Sequence, residues 1–449
     1  MADDIDSVSP TTARALRRLI LERQRGQRVP GIFAGVIRNG RLIWQDGVGA
    51  ADLSAPDAPP GPDDQFLVAS NTKTFTAVLI MQLRDEGKLS LEDPLERHIP
   101  SITHTGVTIR SALAHVSGMQ REPVGDVWET LDAPDVDALL RGFNEAERMH
   151  RPHHVFHYSN LVFSVLGEIV AQVDGRPWTE SLQTRLLDPL GMTRTTVGFT
   201  GRHAQGYYVP PYSDVARPEP YFEPRALAPC GGLASTGVDM ARWSAFVADP
   251  PAEILAPATL EEMLQPQIMT DVARWSGAFG LGFMLHRSDT RVYAGHTGGM
   301  PGHITALFTD RASQTGAVVL MNGSASGDPA ALAVALADHV TDNEPAELEP
   351  WRPGSVVPDD LVEILGLWFS EGQPYLFSVR EGRLEARGQG QPDHVPPAVF
   401  VKLATDLYRA ESGLEQGELL RITRAADGSV AKMNWVTYRF TRQPLGFGQ

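Results

Sequence analysis

The chain has 449 residues, enough for two or three domains with cores of their own, and its 42% hydrophobic and 21% charged residues are those of an ordinary globular protein. A net charge of −16 argues against a nucleic acid or an anionic membrane as partner, since both need clustered positive charge. The single cysteine, Cys230, excludes an intrachain disulfide framework and a cysteine-built metal site, and no stretch reaches the length of a membrane span.

The first residues are acidic and carry no long apolar run, unlike a secretory signal, so the expected location is the cytoplasm. Thr11–Arg25 reads as an amphipathic helix with Leu16, Leu19 and Ile20 on one side. Two β-like runs, Gly31–Arg38 and Arg41–Val48, flank Asn39-Gly40, a strong hairpin signal. Leu53–Asp64, rich in Pro, Ala and Asp, reads as loop. From Ser70 to Gly87 an apolar stripe of Phe75, Leu79, Ile80 and Leu83 predicts a helix. Further helical patterns cover Leu161–Val173, Thr179–Leu187 and Asp239–Val247, with a long Tyr- and Pro-rich loop between Gly201 and Cys230. From Phe279 the period shifts towards two, predicting strands at Phe279–Leu285, Arg291–Ala294, Ile304–Thr309 and Gly316–Met321, then a helix at Asp328–Val340. The simplest architecture is α+β: early and late strands in one antiparallel sheet flanked by helices, with a helical subdomain inserted between them. Residues 1–342 would form this domain, 343–353 an acidic, Pro-rich linker, and 354–449 a small all-β barrel built from short alternating runs.

Three stretches carry chemistry. Ser70 opens the first long helical pattern with Lys73 three residues on, and residues three apart on a helix share a face. A neutral amine beside a serine hydroxyl takes its proton and makes it a nucleophile. The same pair also reads as an N-cap and a solvated lysine, and Ser-x-x-Lys alone does not choose between them. Only Lys73, Lys88, Lys402 and Lys432 occur in the chain, which argues against Lys73 as generic surface filling. His157-Tyr158-Ser159-Asn160 precedes an apolar helix, and a tyrosine oxygen shuttles protons. Gly295-His296-Thr297-Gly298-Gly299 follows a strand, where glycines on a sheet edge let backbone approach a substrate.

Ser70-Asn71-Thr72-Lys73, Tyr158-Ser159-Asn160 and His296-Thr297-Gly298, in that order, resemble the three signature elements of the serine β-lactamase and penicillin-binding-protein superfamily, nearest its class C and D-aminopeptidase/esterase branch. The flanks GKLSLEDPL, LAHVSGM, LGEIVAQVDGRPW, PCGGLASTGVDMARW and HTGGMPGH agree with it. The resemblance implies a β-lactamase-like fold and a Ser70 acyl-enzyme. Lys73 would be the base, and Tyr158 would relay the proton to the leaving group and then activate the deacylating water. Asn160 would hold Lys73 and the substrate carbonyl, the backbone N–H groups of Ser70 and Gly299 would receive the oxyanion, and His296, Thr297 and Gly298 would line the substrate site. No cofactor and no metal is implied. One departure matters: classical β-lactamases carry lysine where this chain has His296, and a charged hydrogen bond to a substrate carboxylate is worth roughly 1.5–3 kcal/mol. The expected activity is therefore that of an esterase or D-aminopeptidase/amidase on a small-molecule or short-peptide substrate, with at most weak β-lactam hydrolysis. An acyltransferase of the same fold and a non-turnover penicillin-binding or sensor protein are the alternatives, and homo-oligomerisation stays open.

The remaining features divide between site and scaffold. Tyr207, Tyr208, Tyr212, Tyr221 and Phe222 either form a substrate pocket or pack on the helical subdomain, and His303, near Gly299 in sequence, either lines that pocket or is structural. His115 is expected to stabilise its turn, and Cys230 to be a buried small residue. His150, His153, His154 and His157 lack an acidic or cysteine ligand in register and read as ordinary loop. The barrel resembles the lipocalin-like extra domains of some related peptidases, and one of its loops, or its docking face, is expected to narrow the active-site entrance.

Overall fold

A computed structural model describes residues 7–325, 327–345, 350–354, 356–392 and 394–448. The chain divides into two compact units, Met1–Glu347 and Leu348–Gln449. Residues 346–349, in the middle of the expected linker, lie outside the described residues.

Helix α1 (Pro10–Gln27) starts on Ser9, whose side chain accepts from the Thr12 N–H, and leads to the hairpin β1 (Gly31–Arg38) and β2 (Arg41–Gly49). Asn39 and Gly40 both have positive φ, 50° and 74°, the backbone that a tight two-residue hairpin turn demands. The helical subdomain follows, and its elements near the site are α2 (Thr72–Asp85) and α3 (Asn160–Asp174). The chain then returns through α4 (Gly237–Ala248) to β3 (Ile268–Met269), β4 (Gly277–Phe279), β5 (Met284–Ser288), β6 (Arg291–Met300), β7 (His303–Asp310), β8 (Thr315–Met321) and α5 (Pro329–Asn343). The eight strands form one antiparallel sheet in the order β2-β1-β8-β7-β6-β5-β4-β3. Early and late strands thus share one sheet, the α+β arrangement expected.

Both faces of the sheet centre are covered, so β1 and β8 are buried at every position and read as nearly continuous apolar runs. Ile32, Ala34 and Val36 of β1, with Ala317, Val319 and Met321 of β8, pack with Leu16, Ile20, Leu336 and Val340 of α1 and α5. On the other face Phe33, Val318 and Leu320 join Trp243 of α4 and the whole helical subdomain. Helix α2 lies inside that second core and is buried from Thr72 to Leu83. A helix enclosed on all sides has no solvent stripe to keep polar, which explains its run FTAVLIM.

One strand differs from its expected bounds in a way that matters. Strand β6 does not stop at Ala294 but continues through His296-Thr297-Gly298-Gly299 to Met300. It lies inside the sheet order, yet its pairing with β5 ends at Gly295, while its pairing with β7 runs to Met300. Its last five residues therefore form a local edge rather than an edge strand.

The second unit is an eight-stranded antiparallel barrel, nearly closed: β9 (Gly366–Ser370), β10 (Gln373–Arg380), β11 (Arg383–Gly388), β12 (Ala398–Ala404), β13 (Leu407–Ala410), β14 (Leu419–Arg424), β15 (Val430–Trp435) and β16 (Tyr438–Phe440). Each strand pairs with the next, and Phe369 and Thr441 exchange two backbone hydrogen bonds (2.8 and 3.0 Å) where the last strand returns to the first. Trp368, Phe377, Phe400, Leu420, Met433 and Phe440 fill the interior. The last two strands, β15 and β16, form a hairpin turning at Val436, which holds φ 57°. No helix among the described residues is long and apolar enough to cross a membrane.

Candidate active site

A short strand pair, Phe66–Leu67 against Leu233–Ser235, delivers the chain to a single 3-10 turn, Ala69–Asn71, directly ahead of α2. Ser70 sits in this turn, and Lys73 is the second residue of α2. Ala69 adopts φ 50°, a left-handed backbone that costs an L-residue about 1–2 kcal/mol. Neighbours hold it there. Asn71 Nδ2 donates to Val68 O (2.9 Å) and to Thr305 Oγ1 (3.0 Å), and Thr72 Oγ1 donates to Ala69 O (2.6 Å). The turn rests directly on β6. A Cβ on Gly298 would lie 2.2 Å from Val68 O and 3.0 Å from Ala69 Cβ, so only glycine lets strand and turn meet.

Lys73 is completely buried, and its Nζ has three oxygen neighbours: Ser70 Oγ at 3.0 Å, Asn160 Oδ1 at 2.7 Å and the Cys230 carbonyl at 2.6 Å. An ammonium donates to all three. A neutral amine keeps two N–H groups for Asn160 and Cys230 and turns its lone pair to the Ser70 hydroxyl. The orientation of Asn160 is itself set. Its Nδ2 donates to Glu122 Oε1 (2.8 Å), and because a carboxylate only accepts, Oδ1 must face the lysine. Sequence reading misses both Glu122 and the Cys230 carbonyl: the first lies 38 residues from Asn160, and the second acts through a backbone atom that no residue type announces.

Tyr158 is half-buried, its ring 4.8 Å from Lys73 Nζ and 4.9 Å from the Arg121 guanidinium carbon. Ser159 caps α3, its Oγ accepting from Val162 N–H (3.2 Å) and donating to Gln120 O (2.7 Å). The segment is carried on His115, which does more than stabilise its own turn. Its carbonyl accepts from His157 N–H (2.8 Å), its Nδ1 accepts from Ser159 N–H (3.0 Å), and its ring lies 4.2 Å under that of Tyr158. Burial and then the charge of Lys73 hold its pKa well below the usual histidine range. It is a neutral plate beneath the tyrosine.

His296 is buried, and burial followed by the Lys73 charge lowers its pKa to about 3. Its Nδ1 donates to Thr297 O (2.5 Å), leaving Nε2 as a bare, buried acceptor with no partner among the described residues. The Thr297 hydroxyl, on the opposite side of the pleat, contacts Met284 Sδ at 3.7 Å. Ser70, Asn160, Gly299 and Glu122 line one cleft with Trp128 and Phe222. The structure does not bring Tyr207, Tyr208, Tyr212 and His303 to it. Tyr207 is buried with its hydroxyl donating to Asp52 Oδ1 (3.0 Å), Tyr208 is exposed, and Tyr212 is fully in solvent. His303, opposite Met300 on β7, packs against Phe66 and Phe199 instead. Of that aromatic loop Phe222 lines the cleft, while Tyr221 lies against Phe199. Among the described residues no group of three or more His, Cys, Asp and Glu is arranged to hold a metal ion.

Residues 16–341 match the family model described as Beta-lactamase, well over half of the chain. The chain belongs to the beta-lactamase family. The beta-lactamase-family portion is followed by a match over residues 357–442 to a domain of unknown function, DUF7586. Among curated relatives, Protein flp of Staphylococcus aureus (strain COL) is 25% identical over 305 residues, covering 66% of this chain and 60% of that protein. Beta-lactamase-like protein 2 of Dictyostelium discoideum is 26% identical over 279 residues, covering 58% and 51%. The chain thus spans less than two thirds of the length of these relatives. Of solved structures, the octameric penicillin-binding protein homologue from Pyrococcus abyssi superposes with a TM-score of 0.65 at 22% identity, covering 95% of this chain and 99% of that one. A D-stereospecific amidohydrolase from Streptomyces gives 0.62 at 23% identity over 71% and 97%. The D-amino acid amidase from Ochrobactrum anthropi SV3 gives 0.62 at 22% over 75% and 98%. At these identities the likeness is one of fold.

Proposed function

We propose that the protein is a serine hydrolase that acylates Ser70 with a small ester or amide substrate, an esterase or D-amino-acid amidase/aminopeptidase rather than a β-lactamase. The observation that carries this reading is Lys73 Nζ at 3.0 Å from Ser70 Oγ while Asn160 and the Cys230 carbonyl fix the amine from behind. Neutral Lys73 takes the hydroxyl proton as Oγ attacks the substrate carbonyl, forming the C–O bond. The backbone N–H groups of Ser70 and Gly299 receive the oxyanion, and Tyr158 passes a proton to the departing alcohol or amine. Water then attacks the acyl-enzyme, giving up its proton along the same path, and Ser70 is regenerated.

A buried, neutral His296 supports an amidase or esterase over a β-lactamase, since it brings no positive charge to a substrate carboxylate. The Streptomyces and Ochrobactrum neighbours, described as D-stereospecific amidohydrolase and D-amino acid amidase, point the same way. A fluorophosphonate probe should label the protein on a peptide containing Ser70, and Ser70→Ala should abolish the label and ester turnover together. Undiminished labelling of Ser70→Ala would place the nucleophile elsewhere.

A further inference from the structure

The barrel holds a hollow that the Ser70 chemistry does not use. Where each strand pairs with the next, alternate connections lie at the same end of a barrel. Residues 371–372, 389–397, 411–418 and 436–437 therefore share one end, and residues 381–382, 405–406 and 425–429 the other. The two longest connections, 389–397 and 411–418, both belong to the first end, and there a cavity of about 720 Å³ opens. Its origin is a pair of small residues. Ala386 of β11 and Ala398 of β12 are direct partners across the ladder, and both are buried in the cavity wall. Eight strands enclose just enough room for side chains to fill or for one small ligand, and two facing methyl groups leave that room empty.

The walls select the ligand. Tyr375, Trp435, Tyr438 and Phe440 line the hollow, and the rings of Tyr375 and Trp435 lie 5.2 and 6.2 Å from that of Phe440. Its charged residues are Glu371 and Glu415, both half-buried, and no Lys, Arg or His lines it. Glu371 accepts from the Ser370 hydroxyl, which leaves its charge in place. The ion pairs of the barrel among the described residues use other acids, Asp360, Glu363, Glu381 and Asp406. Burial and then the charges of Glu415 and Glu371 raise the Tyr375 phenol above its usual range, so both carboxylates act on one ring of the wall. Aromatic faces attract a cation through their quadrupole, and carboxylates add to that attraction.

We propose that this end of the barrel binds a small organic cation, an alkylated ammonium group on an apolar body, between its aromatic walls and the two carboxylates. An anion would meet two uncompensated negative charges there. A neutral apolar molecule would shield those charges from water and bring no counter-ion.

The test is calorimetric titration of the full chain with choline and with 3,3-dimethyl-1-butanol, which keeps the shape and puts carbon in place of the charged nitrogen. Choline should bind about tenfold more tightly or better. The double change Glu371→Gln with Glu415→Gln should bring the ratio to about one. Ala386→Leu, which fills the hollow, should remove choline binding while far-UV circular dichroism stays that of the wild type. If Ala386→Leu does not fold, Tyr438→Ala, at an exposed ring of the wall, takes its place and should weaken choline about fivefold. Ser70→Ala should bind choline as the wild type does, because every residue lining the hollow belongs to the second unit. No choline binding, equal binding of the two probes, or a ratio unchanged in the double variant would overturn the proposal. So would undiminished binding in a folded Ala386→Leu or in Tyr438→Ala, or binding lost in Ser70→Ala.

Discussion

Three buried histidines tie the fold to pH. Burial is the leading cause in each case, lowering His296 and His303 to about 3 and His115 in the same direction. In the unfolded chain the same side chains take up protons near pH 6.5. The folded state refuses those protons, so stability is complete above about pH 6.5 and is lost as pH falls from there towards 3. The slope is about 1.4 kcal/mol per pH unit for each histidine. Urea unfolding at pH 5 should therefore give a lower midpoint than at pH 7, and His303→Gln should flatten the difference; equal midpoints at the two pH values would contradict the burial of these rings. At this scale the sequence is a good guide to which side chains meet when they sit in short contiguous patterns. Ser70-x-x-Lys73 shares a face by helical spacing, and Asn160, the first residue of α3, follows Tyr158 by two positions. Glu122, the Cys230 carbonyl and the seat that His115 makes for Tyr158 are not legible in the same way. Each depends on contacts across 38 residues or more, or on backbone atoms.

The nucleophile helix α2 is seated by α4 through one residue. The Trp243 ring stacks on Phe75 at 3.7 Å and on Phe246 at 4.6 Å, and its Nε1–H donates to Thr74 Oγ1 at 2.9 Å. Trp243→Ala should destabilise the protein by about 3–5 kcal/mol, the range for emptying an aromatic site in a core. Trp243→Phe keeps the stack and should cost about 1 kcal/mol for the hydrogen bond, plus the lost ring area. Chemical denaturation of both variants measures the difference, and equal losses would show that the stack contributes little. Elements were legible where the chain carries its own punctuation. Asn39-Gly40 marks the first hairpin because both residues tolerate positive φ, whereas the barrel turn at Val436 uses a β-branched residue that gives no such signal. Strand β6 outruns its apolar pattern for a related reason. Its glycines lower strand propensity, yet Gly298 is there because the Ser70 turn leaves no room for a side chain.

Each of the two units has a hydrophobic core of its own residues: two clusters lie in the first unit and one, around Trp368 and Phe377, in the barrel. Separate cores unfold separately unless an interface couples them, so scanning calorimetry should resolve two transitions, with only one affected by Trp368→Ala. A single transition shifted as a whole by that change would show tight coupling of the two units. The proline-rich acidic stretch and the change to short alternating runs put the expected boundary at residues 343–353, and the two compact units meet in sequence between Glu347 and Leu348. The placement of the sheet's early strands against its late ones was legible only as the simplest arrangement, because pairing β1 with β8 closes a loop of more than two hundred residues. The meeting of Phe369 and Thr441 has a consequence for how copies of this chain can associate. An open sheet ends in strands whose free N–H and C=O groups can template another chain. In the barrel those outer strands spend backbone groups on each other. Adding a foreign strand at this point of the barrel would first have to break that seam.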